Sequence, residues 1–159
     1  MNIQRKNMVD GQIAPIGLVS EELLSAFLSV ERADFLPDTL KAYAYEDRNL
    51  EYNGNLILKP MFIAYMLQAA DIQANEKVLY VSHNKYGAEV LRKITNNVVF
   101  YEEIVHPNLY DVIICESILP YSLDYPVKKT VGIVSTPQKT FCYKKDSKGM
   151  GHVFDLLIC

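Results

Sequence analysis

Apolar residues in the first part of the chain recur every three or four positions, the interval that lines one face of a helix. Leu23, Leu24, Phe27 and Leu28 make one such stripe, and Ser20 just before it carries the oxygen that caps a helix start. Pro37 opens a shorter helix reaching about Tyr43. Pro60 sits where a first-turn proline belongs, ahead of Phe62, Tyr65, Met66 and Ala69 on one face. Between these helices "EDRNLEYNGNLIL" reads as a loop that turns at Asn53-Gly54.

At Lys77 the period changes. "KVLYVS" is a short apolar, β-branched run, "YGAEVLRKI" is helical, and "NVVFYEE" is strand-like again. That alternation predicts a βαβ unit and a parallel sheet. "YDVIICES", "KTVGIVS", "TFCYKKD" and "HVFDLLIC" follow as strands, the last two forming an antiparallel hairpin around "SKGMG". "YDVIICES" is joined to the strand before it by "IVHPNL" alone, six residues that span at most ~20 Å. Either an extended segment crosses the sheet, or the two strands pair as an antiparallel hairpin around His106-Pro107-Asn108.

Composition narrows the class. The 159 residues fit one domain, 1–159, with a helical part over 1–70 and a sheet part over 71–159. Half the residues are hydrophobic and 22% are charged, as in ordinary globular proteins. No apolar run reaches the ~20 residues of a membrane span, and the polar start "MNIQRKN" leads into no signal peptide, so a cytoplasmic protein is expected. Cys115 and Cys142 lie in strand-like runs and read as buried thiols, while Cys159 is a strand end or an exposed thiol. His83, His106 and His152 stand alone, so no metal site is expected. Lys128, Lys129, Lys139, Lys144, Lys145 and Lys148 oppose only Asp146 and Asp155 in the last segment. They could attract nucleic acid. With a net charge of -3, lysines guarding an exposed sheet edge are the favoured reading.

The wording of several segments goes further than their periodicity. "MVDGQIAPIGLVSEELLSAFLSVERADFLPDTLKAYAYEDRNL", "LKPMFIAYMLQAADI", "KVLYVS", "YGAEVLRKI", "VVFYEE" and "YDVII" resemble, in this order, the protein-L-isoaspartate O-methyltransferases. The match covers residues 8–116 well and the rest loosely. The family is class I and S-adenosylmethionine-dependent, methylating the carboxylate of isoaspartyl residues to start protein repair. The resemblance implies a reduced Rossmann-like α/β fold, N-terminal helices followed by a mainly parallel sheet with a C-terminal antiparallel hairpin. It also implies a chain that is truncated and internally deleted, lacking a helix, a strand and a helix after "VVFYEE".

Carried over residue by residue, the family pattern is altered. Its first strand and cofactor loop read V-L-D/E-V-G-x-G-x-G-Y. Here Tyr80 takes the acidic position, Ser82 and Asn84 replace two glycines, and a third is missing ahead of Tyr86. Asn84 tolerates left-handed backbone better than Ser82 does. With His83 and Lys85, these residues would fill cofactor space. Glu102 matches the acid that bonds the ribose. The substrate loop, G-Q-T-I-S-x-P in the family, reads "GNLILKP": Gly54, Ile57 and Pro60 remain, and Asn55, Leu56 and Leu58 take the polar positions.

The expected protein is therefore a catalytically inactive relative serving as a binding or assembly module, with no catalytic residue and no bound cofactor. The alternatives are an active S-adenosylmethionine-dependent carboxyl methyltransferase and a nucleic-acid-binding protein. The missing helix–strand–helix would leave "NVVFYEE" as a sheet edge and uncover apolar surface at Val98, Val99 and Phe100. A homodimer is the expected way to close it.

Overall fold

A computed structural model of the chain describes residues 2–103, 110–116, 127–135, 140–146 and 149–156. It divides into two compact units, Met1–Gln68 with His83–Asn96, and Ala69–Ser82 with Asn97–Cys159. The first is the helical part, and it also takes in the helical run "YGAEVL".

In the first unit Asn2 caps α1 (Ile3–Met8) by accepting a hydrogen bond from the Gln4 N–H. A wide turn at Val9–Ile13 and a tight one at Ala14–Ile16 follow, stopped by Gly17 at φ 72°. α2 (Glu21–Ser29) starts at Ser20, whose Oγ accepts from the Leu23 N–H, as its sequence announces. Its core face is Leu23, Ala26 and Phe27, with Leu24 and Leu28 half-buried beside it. α2 packs on α4 (Tyr86–Leu91), where the Phe27 and Tyr86 rings meet edge-on at 6.1 Å.

The segment read as a loop is a β-hairpin, β1 (Leu50–Tyr52) and β2 (Asn55–Ile57). Asn53 (φ 51°) and Gly54 (φ 75°) are both left-handed, the two-residue turn whose twist suits a hairpin. Leu50 and Ile57 bury its inner face with Leu36 and Ala44. α3 (Pro60–Ala70) begins at its proline. It is buried on more sides than one stripe allows: Phe62 and Met66 are core as expected, but so are Ile63 and Leu67, while Tyr65 and Ala69 are half-buried.

The second unit is a six-stranded sheet in the order β4-β3-β5-β6-β7-β8. β3 is Val78–Val81, β4 Val98–Phe100, β5 Val112–Cys115, β6 Lys129–Ser135, β7 Thr140–Asp146 and β8 Gly149–Leu156. β3 pairs parallel with both β4 and β5, and β5 with β6; β6–β7 and β7–β8 are antiparallel. A mainly parallel sheet ending in an antiparallel hairpin is what the sequence predicts. β3 and β5 are apolar throughout and buried at every position, the near-continuous hydrophobic run typical of inner strands of a parallel sheet.

Three expectations change. β4 and β5 do not pair with each other, since each flanks β3; the hairpin alternative is overturned, and the path of residues 104–109 lies outside the described residues. Lys144 and Lys145 lie on β7 between β6 and β8, so they guard no edge. Lys128 and Lys129 are spent on ion pairs, with Asp111 at 2.8 Å and Glu76 at 3.0 Å. Third, β4 is one of the two edge strands among those described, yet Val98 and Phe100 are buried and only Val99 is half-exposed. Cys115 and Cys142 are buried, as expected; Cys159, His106 and the His152 side chain lie outside the described residues. No described helix is long and apolar enough to cross a membrane.

Candidate functional site

From β3 the chain proceeds to β4 on one side, while β5 and β6 continue on the other. The carboxyl ends of β3 and β5 are therefore the point where strand order reverses, and open α/β sheets bind ligands just beyond such a point. Two residues dominate it here. Tyr80, fully buried, donates its hydroxyl to Glu116 Oε1 at 2.6 Å. Glu116, one residue past β5 and 6% exposed, is pinned by its own N–H to the Val81 carbonyl at 3.0 Å. The register explains the reach: Tyr80 lies opposite Ile114, and Glu116 is two residues further along the same face.

Beyond β3 lie the residues that the family pattern assigns to the cofactor. Ser82 ends the second unit's part of the loop, half-buried. In the first unit His83 is exposed, whereas Asn84 is only 8% exposed. Asn84 Nδ2 donates to the Phe35 carbonyl at 2.7 Å, and its Oδ1 accepts from the Tyr86 N–H at 2.9 Å. Among the described residues only Asn53 and Asp71 combine a side chain with positive φ, so Asn84 does not use its tolerance for left-handed backbone. Glu102 is exposed in the tight turn Tyr101–Glu103 that follows β4, at the carboxyl end of the second unit's outer described strand.

The substrate-loop positions all lie in the first unit and divide between surface and core. Gly54 is in the hairpin turn, Asn55 is half-buried opposite Tyr52, and Leu56 is 42% exposed. Ile57, Leu58 and Pro60 are buried. Leu58 is a core residue, and its carbonyl accepts from Arg32 Nη2 at 2.9 Å.

Sequence reasoning passed over three charged residues here. Arg32 is buried with its guanidinium 5.1 Å from the centre of the Tyr86 ring. Lys59 is buried with Nζ 3.1 Å from Asp47 Oδ1 and 4.7 Å from the centre of the Phe62 ring. Glu116 is the third. Burial drives the Tyr86 hydroxyl well above its ordinary pKa, with Arg32 opposing that shift. A lone charge inside an apolar run, as in "LILKPMF", is the available signal for Lys59, because such charges are buried only when paired, whereas Arg32 sits among Glu31 and Asp34 and carries no such signal. Among the described residues no three His, Cys, Asp or Glu side chains converge as metal ligands would.

Comparison with known proteins matches residues 3–105 to the family model described as Protein-L-isoaspartate(D-aspartate) O-methyltransferase. The protein-L-isoaspartate O-methyltransferase of Herpetosiphon aurantiacus is 34% identical over 101 residues, 62% of this chain and 45% of that protein. The one from Opitutus terrae is 33% identical over 106 residues, 65% of this chain and 45% of that protein. The chain thus spans less than half the length of these curated relatives. In fold it is similar to a Plasmodium falciparum chain assigned as a protein-L-isoaspartate O-methyltransferase and solved with S-adenosyl-L-homocysteine. That likeness has a TM-score of 0.71 at 15% identity, over 97% of this chain and 96% of that one. The family model covers well over half of the residues, and the chain belongs to the protein-L-isoaspartate O-methyltransferase family.

Proposed function

We propose that this chain is a family member that transfers no methyl group and acts as a binding or assembly module in the cytoplasm. The observation carrying this reading is the loop after β3. Glycines let a backbone turn at positive φ and approach a nucleoside or phosphate closely. From Ser82 to Lys85 no residue has positive φ, and the Asn84 amide is committed to Phe35 and Tyr86. Tyr80 replaces an acid, and Leu58, where the family has a hydroxyl, is core. These residues do not fit S-adenosylmethionine. Methyl transfer depends on positioning both reactants, so losing both sets of contacts removes most of the rate. The test is radiolabelled methyl transfer to an isoaspartyl peptide, together with titration of S-adenosylhomocysteine at micromolar concentration. Counts at the heat-killed level and no isotherm are expected; methylation above that control overturns the proposal.

Glu102 favours a second reading, an active enzyme with an atypical loop, because its exposed carboxylate stands at the end of β4. In that case Glu102→Ala abolishes activity. Nucleic-acid binding has less support, since Lys128 and Lys129 are ion-paired. The proposed assembly is a homodimer formed along β4, an edge strand of the described sheet. Sedimentation equilibrium across a wide concentration range tests it, and a single 18.1 kDa species throughout would count against it.

A further inference from the structure

The loop after β3 is one obstacle to a nucleoside cofactor. The second unit carries another at the strand ends themselves, where Tyr80 does more than replace an acid. Ligands of open α/β sheets enter outside the carboxyl ends of the strands where their order reverses. At that point a phenol ring with no solvent exposure and a carboxylate that is 6% exposed are joined by a 2.6 Å hydrogen bond. Both ends of this link are held. The Tyr80 backbone is in register with Phe100 on one side and Ile114 on the other, and the Glu116 N–H is bonded to Val81. A hydrogen bond to a carboxylate is shorter and stronger than one between neutral groups. Opening the space would expose a buried carboxylate without the donor it now has.

From this geometry we infer that Tyr80 and Glu116 form a plug that closes the switch-point crevice and is the larger of two obstacles to a nucleoside cofactor, the loop after β3 weakening binding without abolishing it. Tyr80 supplies the volume, and Glu116 fixes the ring in place from the neighbouring strand. The inference rests on the proposal that the chain does not use the cofactor, and it assigns the larger part of the exclusion to two residues outside the loop. It also makes exclusion reversible: removing the ring and the acid opens the crevice without touching residues 82–85.

The experiment titrates S-adenosylhomocysteine, the compound bound by the structural relative, into the full chain and into Tyr80→Ala/Glu116→Ala, with folding checked by circular dichroism. Tyr80→Val/Glu116→Ala, which keeps a β-branched residue in the strand, serves if the larger cavity unfolds the sheet. The wild type is expected to give no isotherm up to millimolar ligand, and the folded double variant to bind at least an order of magnitude more tightly than that limit. A folded double variant that remains silent overturns the plug and leaves the inactive reading standing. Binding by the wild type overturns both. Should both double variants unfold, hydrogen exchange of the wild-type β3 and β5 amides with and without millimolar S-adenosylhomocysteine decides. Unchanged exchange supports a closed crevice, and ligand protection refutes it.

Discussion

The ring of Tyr143 lies across Gly132, its register partner on the adjacent strand: a Cβ built on the glycine would sit 2.6 Å from the phenol oxygen and 2.7 Å from two ring carbons. The glycine in the middle of β6 therefore makes room for an aromatic ring from β7, and that close approach offsets its own weak strand propensity. Gly132→Ala forces the ring aside and should destabilise the fold by about 1–3 kcal/mol. Urea denaturation of Gly132→Ala, Tyr143→Leu and the double variant measures this. The alanine should cost distinctly less when the ring is already gone.

Tyr86 gives a prediction of opposite sign. Its hydroxyl is buried and has no hydrogen-bond partner among the described residues, while its ring packs on Phe27, Phe35 and Arg32. Tyr86→Phe keeps the ring contacts and deletes a desolvated hydroxyl. Stability should stay level or rise by about 1 kcal/mol. A clear loss in thermal midpoint would mean that the hydroxyl is satisfied in solution.

Burial pushes the Cys142 thiol from an ordinary 9.0 up to about 12. A group whose pKa is raised by folding contributes stability that is present below its unfolded value and lost as pH climbs toward the folded one. Unfolding midpoints should therefore fall between pH 9 and 12, less steeply in Cys142→Ala than in the wild type. At pH 8 the native thiol should resist a thiol reagent that labels it rapidly in denaturant.

The opposite sign holds at Asp111. Its carboxyl lies below the usual range, held there first by the Lys128 ammonium and then by the Lys77 N–H. That contribution is present above the ordinary carboxylate pKa and lost as pH falls through the lowered one. Asp111→Asn should be less stable than wild type at neutral pH, and the gap should close in acid. Thermal melts of both proteins at neutral and acid pH compare them directly.

What the sequence made legible was local. The Ser20 cap, the Asn53-Gly54 turn and the first-turn Pro60 act within a few residues of themselves, so their chemistry can be read in place. The change of period at Lys77 identified the sheet and the order of its elements. Strand adjacency is not local. The Tyr80–Glu116 bond joins residues 36 apart and exists only because β5 lies beside β3. The lysines of β7 were misread as an edge for the same reason, since no residue in "TFCYKKD" reports a strand on both sides. The substrate loop was legible as a family match. Its division into an exposed Leu56 and a core Leu58 depended on the hairpin that carries it.

Asn84 is held through both ends of its amide. As a replacement for a loop glycine it invites a Gly substitution to restore a cofactor turn, but its bonds oppose that. Its Oδ1 accepts from the Tyr86 N–H at the start of α4, and its Nδ2 donates to the Phe35 carbonyl 49 residues away. The short polar side chain thus braces the loop to the chain that precedes α3. Truncation leaves a buried N–H and a buried carbonyl to find new partners, at about 1–3 kcal/mol. Asn84→Ala and Asn84→Gly should both destabilise the protein by that order. Asn84→Asp, which keeps the acceptor for Tyr86 and loses the donor to Phe35, should differ from Asn84→Ala. It keeps the bond to the Tyr86 N–H but sets a carboxylate against the Phe35 carbonyl, so its deficit should shrink at acid pH, where a protonated acid can donate again. Denaturation of the three variants at neutral and acid pH measures the series. Equal stability of Asn84→Ala and wild type would show that the loop is not braced, and would weaken the case that its course excludes the cofactor.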